Sequence, residues 1–378
     1  MTPGRSGDTE WGWGDWGDGT AAVHAGLPEP SPGAPLLPGP VFAAPYHLPP
    51  GGPVAGLDAY GRQSNPTLSR YEEAVGSLER GSSVVFASGM AAVSAVLLDT
   101  LRPGDVLVLP SDGYYVTRVL GRELADRGVT VREAPTAGPY PFEGARLVLL
   151  ETPANPGLDV CDLAAVIPAA HAAGALVAVD NTTATPLGQR PLDFGADFSI
   201  SSDTKAMTGH GDLLLGHVAV RDPDLLARLV AWRTTTGGLP GPFETWLAHR
   251  SLATLDLRLA RQAANALALA TALAGRPEVS GLRYPGRPED PAYPVASRQM
   301  RRFGGVLSFT LPSAEAVERF VAASALVAAA TSFGGVHTTV DRRAQWGGDA
   351  VAEGFVRLSA GCEDTADLVA DVLAALDA

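Results

Sequence analysis

Of the 28 lysine and arginine side chains in this 378-residue sequence, a single one, Lys205, is lysine. It lies in SSDTKAMTGHGD, residues 201–212. Arginine serves as well as lysine for salt bridges and anion binding, but only an amine can lose its proton and attack a carbonyl. A retained lysine is therefore a candidate for Schiff-base chemistry, unless a drift of codons toward arginine simply left one behind. Its neighbours must decide. Ser202 and Thr204 flank it with hydroxyls that could hold a phosphate while the amine meets an aldehyde. Further back, Ser88-Gly89-Met90 follow the apolar run SSVVF and open a helix-forming run. Free N–H groups and a positive helix terminus would favour a phosphate there; the plain alternative is a serine N-cap. VAVDN ends in Asp180, a carboxylate at the exit of a buried strand, where an unpaired charge is costly and calls for a cation. The plain alternative for Asp180 is capping of the TTATP turn.

A phosphate cradle, a buried carboxylate and a unique amine together ask for a cofactor with a phosphate, a cationic ring nitrogen and an aldehyde. Pyridoxal 5'-phosphate has all three. The elements that must position these groups are legible as continuous apolar runs (SSVVF, VLVLP, ARLVLL, ALVAVD, DFSIS, LLLGHVAV) alternating with helical patterns. Such a pattern predicts a doubly wound α/β domain with a parallel sheet covered on both faces. Polar residues at carboxyl ends of its strands then face the ligand crevice. From about residue 243 one long helix, PFETWLAHRSLATLDLRLARQAANALALATALAG, opens a smaller α/β domain that runs to residue 378. Residues 1–62 read as an extended, Gly- and Pro-rich arm, disordered over about 1–20, and residues 63–242 as the cofactor-binding domain. Within the arm, Gly12, Gly14 and Gly17 give a formal G-x-G-x-x-G with neither a strand before it nor a helix after it, hence no dinucleotide site.

The net charge of -13 argues against a nucleic-acid partner, which needs clustered cations. Cys161 and Cys362 are isolated, which speaks against a disulfide framework and a zinc site and fits a reducing cytoplasm. His24, His47 and His171 lack ligand spacing, and no metal is expected. No secretory leader or membrane-spanning run is legible, so a soluble cytoplasmic protein is expected.

From about Val23 onward the ordered motifs VHAG, YGRQSNPT, SGMAA, DGYYVTR, ETPANP, VDNT, SSDTKAMTGHGD, SFGGV and VRLSAG resemble the pyridoxal-phosphate enzymes of cysteine and methionine metabolism, most of all their cystathionine gamma-lyase members. The resemblance implies a fold-type I, aspartate-aminotransferase-like large domain, a smaller C-terminal α/β domain and a homodimer with shared active sites, assembled into a homotetramer. It implies Lys205 as the Schiff-base lysine, Asp180 as partner of the pyridine nitrogen and Tyr114 as the ring-stacking, proton-transferring tyrosine. Ser88, Gly89, Met90, Ser202 and Thr204 would hold the phosphate, joined by Tyr60 and Arg62 from the neighbouring subunit. Asn155, Ser332 and Arg357 would bind the substrate carboxylate.

The implied reaction is γ-elimination on cystathionine, giving cysteine, 2-oxobutanoate and ammonia; gamma-synthase, methionine gamma-lyase and homocysteine-forming sulfhydrylase activities are the alternatives within the family. Several positions depart from its common pattern. Tyr115 and Val116 stand where Gly-Gly is common, Ala206 where Tyr follows the lysine, and His337 where cystathionine-handling members carry Glu. His337 therefore enters as a substrate-pocket candidate in which an anionic partner for a distal ammonium is missing. A catalytically idle cofactor binder and a nucleotide-binding α/β module are the competing classes; the first would show no turnover and the second no bound pyridoxal phosphate.

Overall fold

The structure, a computed structural model, describes residues 16–378. Gly12 and Gly14 lie outside the described residues, and Gly17 is the N-cap of a short helix, α1 (Asp18–His24). α1 departs from the expected extended arm. Seven residues cannot sustain a helix alone, but Asp18 is held by Arg190 at 2.7 Å and Arg301 at 2.7 Å, and Ala21 and Ala22 are buried.

Next come α2 (Pro66–Glu79), β1 (Ser82–Phe86), α3 (Gly89–Thr100), β2 (Val106–Pro110), α4 (Tyr115–Ala125), β3 (Thr130–Ala134), β4 (Ala145–Glu151), α5 (Leu163–Ala172), β5 (Leu176–Asp180), α6 (Thr185–Gly188), β6 (Phe198–Ser201) and β7 (Gly216–Val220). Their seven strands form one sheet in the order β1-β7-β6-β5-β4-β2-β3. The sheet is parallel except for β7, which runs antiparallel to both β1 and β6, so the all-parallel expectation is corrected to a mixed sheet. An apolar run such as HVAV is buried on both faces whichever way it points, and its direction leaves no mark in the pattern. Alternate strand residues feed two cores. Leu107, Leu109, Leu147 and Leu149 pack with α3, while Val108, Val148, Val177 and Val179 pack with α5.

The single long helix expected from residue 243 is two. After α7 (Pro223–Thr236), α8 (Pro242–Leu252) and α9 (Leu255–Leu273) are separated by Ala253 and Thr254. Arg258 explains the break: it donates to Ser251 O at 3.0 Å and Thr254 Oγ1 at 3.2 Å, and also to Ala206 O at 2.6 Å and Met207 O at 3.0 Å. One buried guanidinium thus ties the helix junction to the segment following Lys205.

The remaining elements are β8 (Ser280–Arg283), α10 (Tyr293–Gln299), β9 (Val306–Thr310), α11 (Ala314–Ala323), β10 (Ala328–Ala329), β11 (Thr339–Arg342), β12 (Phe355–Ser359) and α12 (Thr365–Leu376). Their strands make a second sheet, β10-β11-β12-β9-β8, packed with α9, α11 and α12 around Leu269, Phe309, Phe320, Leu358 and Leu368. Among the described residues no helix is long and apolar enough to cross a membrane.

Candidate active site

The site gathers at the carboxyl ends of β1, β4, β5 and β6. Ser88 does cap α3, accepting the Ala91 N–H at 3.1 Å. The N–H groups of Gly89 and Met90 at the same helix start have no acceptor among the described residues. Gly89 is required by close approach: a Cβ there would stand 2.5 Å from Ser202 Cβ and 2.7 Å from Ser202 Oγ. Ser202 is fixed in turn by its N–H donating to Thr182 Oγ1 at 2.8 Å, and Thr204 Oγ1 exchanges hydrogen bonds with the Leu215 backbone at 3.1 and 3.2 Å. These groups line a cavity of about 220 Å³ together with Tyr114, Glu151, Asp180, Lys205 and Phe333.

Asp180 ends β5 directly beside Glu151, its register partner at the end of β4. Its Oδ1 accepts the Thr182 N–H at 3.0 Å, so the turn-capping role is real. Among the described residues it has no ion pair, although burial raises its pKa against the pull of Thr182, His217 and Lys205. Glu151, which sequence reading missed, is pushed up to about 8 by burial and by Asp180. It accepts the Tyr114 N–H at 2.7 Å and the Asn155 N–H at 2.7 Å. The rule that identified Asp180, a carboxylate at a strand exit, applies equally to Glu151, but in ETPANP only Asn155 was singled out.

Lys205 Nζ donates to Ser332 Oγ at 2.8 Å and lies 5.5 Å from the Phe333 ring centre. Burial and the nearby Arg357 lower its pKa to about 8, against the attraction of Asp180. A substantial neutral fraction is thus available near neutrality for attack on a carbonyl. Arg357 sits mid-strand on β12 and donates to Asn155 Oδ1 at 2.7 Å, Ser332 O at 2.8 Å and Asp341 Oδ2 at 3.1 Å. Burial and Arg343 lower its pKa to about 10, which leaves it cationic at neutral pH. Its Nε has no partner among the described residues. Asp341, also unread in the sequence, bridges Arg357 and Arg343.

Tyr114, at the start of α4, lines both this cavity and an outer one of about 680 Å³ that shares Lys205, Asn155 and Phe333 with it. Burial raises its pKa, so its hydroxyl carries a proton at neutral pH. Tyr115 meets it edge-on at 5.4 Å and occupies the space beside Gly348, where a Cβ would fall 2.6 Å from the Tyr115 ring. Arg118 of α4 adds bonds to Gly348 O at 2.7 Å and Asp349 Oδ1 at 3.3 Å. The tyrosine that replaces the common glycine therefore packs between α4 and the segment following β11. Ala206 is buried against the Gly334 backbone, where a Cβ would fall 2.6 Å from Ala206 N. His337 is exposed at the outer cavity with His210, Asp212 and Trp346. Tyr60 and Arg62 do not reach the Lys205 cavity of their own chain: they line a separate pocket, with the Arg62 guanidinium 5.4 Å from the Tyr60 ring centre.

The inner cavity fits pyridoxal phosphate. It offers helix-start N–H groups beside two hydroxyls, a glycine cradle that a methyl would fill, the half-buried carboxylate of Asp180 without an ion pair among the described residues, and one amine of lowered pKa. Fold and site together define a pyridoxal-phosphate enzyme of the α/β class. Residues 51–377 match the family described as Cys/Met metabolism PLP-dependent enzyme. A Streptomyces coelicolor protein provisionally named cystathionine gamma-lyase is 58% identical over 369 residues, covering 96% of this chain and 94% of the relative. An L-methionine gamma-lyase of Pseudomonas putida is 37% identical, covering 96% and 98%. The solved cystathionine gamma synthase of Xanthomonas oryzae pv. oryzae, in complex with aminoacrylate and cysteine, superposes with a TM-score of 0.90 at 35% identity, covering 96% and 98%. The chain belongs to the PLP-dependent enzymes of cysteine and methionine metabolism, and it is a lyase or synthase of that family.

Proposed function

We propose that the chain is a carbon–sulfur lyase that performs γ-elimination on cystathionine, releasing cysteine, 2-oxobutanoate and ammonia. The observation that carries this reading is the outer cavity of about 680 Å³, which extends beyond Lys205 and Arg357 and whose one lining carboxylate is Asp212. That space suits a substrate with a second amino-acid head, and Asp212 offers its distal ammonium the anion that His337 does not. Bound pyridoxal phosphate supplies the electron sink that acidifies the substrate α-proton. Ser88, Gly89, Met90, Ser202 and Thr204 would hold its phosphate, and Asp180 would keep a proton on its ring nitrogen. Arg357, oriented by Asn155 and the Ser332 carbonyl, binds the substrate carboxylate as a fixed planar fork. Lys205 takes the α-proton and then a β-proton as a base, and the electron pair left at the β-carbon expels the γ-sulfur. Lys205 returns a proton to the γ-carbon before water hydrolyses the four-carbon remainder to 2-oxobutanoate and ammonia; its lowered pKa suits both base and acid tasks. Tyr114 covers the site and presents a hydroxyl proton to the leaving sulfur.

That Tyr60 and Arg62 line a pocket apart from the Lys205 cavity of their own chain supports a homodimer in which they complete the phosphate site of the neighbouring subunit, with two such dimers paired into a tetramer. The separate core around the second sheet supports a C-terminal domain over 243–378 beside a cofactor-binding domain over 63–242. A cytoplasmic setting accords with two free cysteines. The test is product analysis after incubation with cystathionine, methionine, homocysteine, or an activated homoserine ester plus cysteine. Release of 2-oxobutanoate and cysteine from cystathionine is expected. Formation of cystathionine from the ester, without its breakdown, would overturn the lyase direction.

A further inference from the structure

Behind the Lys205 turn, away from the cavity, lies a fully buried polar chain that the reaction does not use directly. Asp203 stands two residues before Lys205, yet its side chain points into the protein. Its Oδ2 accepts the Tyr71 hydroxyl at 3.0 Å, and its Oδ1 faces His217 Nδ1 at 2.7 Å. The other ring nitrogen of His217 faces Glu79 Oε1 at 3.1 Å. Tyr71, Glu79, Asp203 and His217 are each 0% exposed. A carboxylate oxygen only accepts, so an imidazole placed between two of them must carry protons on both nitrogens. Against burial, Asp203 and Glu79 push His217 up to about 10, consistent with a permanent imidazolium. The groups come from several elements: Tyr71 and Glu79 from α2, Asp203 from the turn after β6, His217 from β7, and Asp180 at the end of β5, whose ionised form His217 also favours. Arg258 of α9 also acts on Tyr71, and the His249 ring of α8 lies 6.4 Å from that of Tyr71.

The same turn is gripped elsewhere. Thr208 donates its N–H to Asp203 O at 3.0 Å and its hydroxyl at 2.9 Å, and Arg258 holds the carbonyls of Ala206 and Met207. Within residues 202–205, Ser202, Thr204 and Lys205 line the cavity, whereas the Asp203 side chain is tied into the interior by Tyr71 and His217. We propose that His217 is a positioning residue: held between Glu79 and Asp203, it fixes the turn that aims Lys205, Ser202 and Thr204 into the cavity. This rests on the reading of Lys205 as the reacting amine. A buried charge pair is weak support for stability, because apolar replacements of similar size are often as stable. What such a pair supplies here is a fixed direction for the lysine.

The test compares the full-length wild type with His217→Gln, which can satisfy only one carboxylate, and with the triple variant Glu79→Leu/Asp203→Leu/His217→Leu, which leaves no buried charge unpaired. Melting temperature, kcat and KM of the cofactor-loaded proteins are measured. In addition, Lys205 is reductively methylated with ¹³C-formaldehyde after cofactor removal. With one lysine in the chain, its NMR signal and that of the N-terminal amine are the two to follow as pH is varied. The triple variant is expected to fold, with kcat lowered roughly tenfold or more by misplacement of the amine and KM changed less. Its Lys205 titration should move upward from about 8 toward that of a solvated lysine. A folded triple variant with wild-type kcat and Lys205 titration overturns the proposal. If the triple variant does not fold, His217→Gln decides by the same two readouts, and an unchanged pair again overturns it. The NMR titration needs neither cofactor nor substrate. A wild type inactive on every sulfur amino acid would therefore refute the proposed reaction, whereas an unmoved Lys205 titration refutes the role of His217.

Discussion

Gly89→Ala isolates the phosphate cradle from the rest of the fold. The added methyl would stand 2.5 Å from Ser202 Cβ, about 1 Å inside the roughly 3.5 Å at which carbon atoms come to rest. Ser202 cannot simply retreat, because its N–H is held by Thr182 at 2.8 Å. The start of α3 must move instead, and a hydrogen bond stretched from about 2.9 to about 3.9 Å is no longer one. A hydrogen bond to a charged group contributes about 1.5–3 kcal/mol, so losing one weakens cofactor binding by about 10- to 150-fold. Overpacking itself costs about 1–3 kcal/mol of stability, which a melt of the cofactor-free protein measures separately. The assay is equilibrium binding, followed by visible absorbance after dialysis against graded pyridoxal phosphate. A Kd equal to that of the wild type, with an unchanged spectrum, would refute the placement of the phosphate at this helix start.

Lys205→Met tests the depressed lysine pKa through stability. The unfolded chain binds more protons than the cofactor-free folded one between about 8 and 10.5, so wild-type stability should rise with pH across that window and the variant's should not. The variant is expected to be more stable by up to about 3 kcal/mol below pH 8 and equal above 10.5; parallel curves in denaturant titrations would refute a buried amine. Arg62→Ala and Lys205→Ala subunits, each nearly inactive alone, should regain activity when mixed, since a mixed dimer assembles one site carrying neither change; verified mixed dimers without activity would exclude a shared site. His337→Glu should raise the ratio of kcat/KM for cystathionine over methionine about tenfold by restoring an anionic contact, and an unchanged ratio removes His337 from substrate selection.

The groups legible in the sequence were those whose function follows from position along one strand or turn. Lys205 stood out by type, Asp180 by ending an apolar run, and Gly89 by sitting between a strand and a helix. Each needed only the rule that polar residues at strand ends face the crevice. Glu151 obeyed the same rule and escaped because attention in ETPANP went to Asn155 alone. His217 and Asp203 were illegible for a different reason: their partners Glu79 and Tyr71 lie 138 and 132 residues away, and a lone buried charge cannot reveal which group satisfies it. Asp341 has its arginines close by in the chain, but alternation along β11 does not tell that its side chain faces them. The direction of β7 was hidden because an apolar run has no sense, and the break between α8 and α9 because Ala253 and Thr254 are compatible with a helix until Arg258 claims the neighbouring carbonyl. Tyr60 and Arg62 carry motif resemblance, yet within one chain they line a pocket of their own.

Tyr115 and Arg118, packed against Gly348 and Asp349, make the outer cavity a gap between walls carried by different sheets. Its width is therefore set by the stretch between β11 and β12, which meets the groups proposed to do the chemistry at its start, where Asp341 joins Arg343 to Arg357. Lengthening or shortening that stretch should retune which side chains are admitted while leaving bond cleavage alone. For laboratory evolution of substrate range, residues 344–348 and 350–354, which leave the Arg343–Asp349 pair in place, are accordingly a better place to diversify than the neighbourhood of Lys205. Within this lineage, swapping that stretch between relatives should carry substrate preference with it.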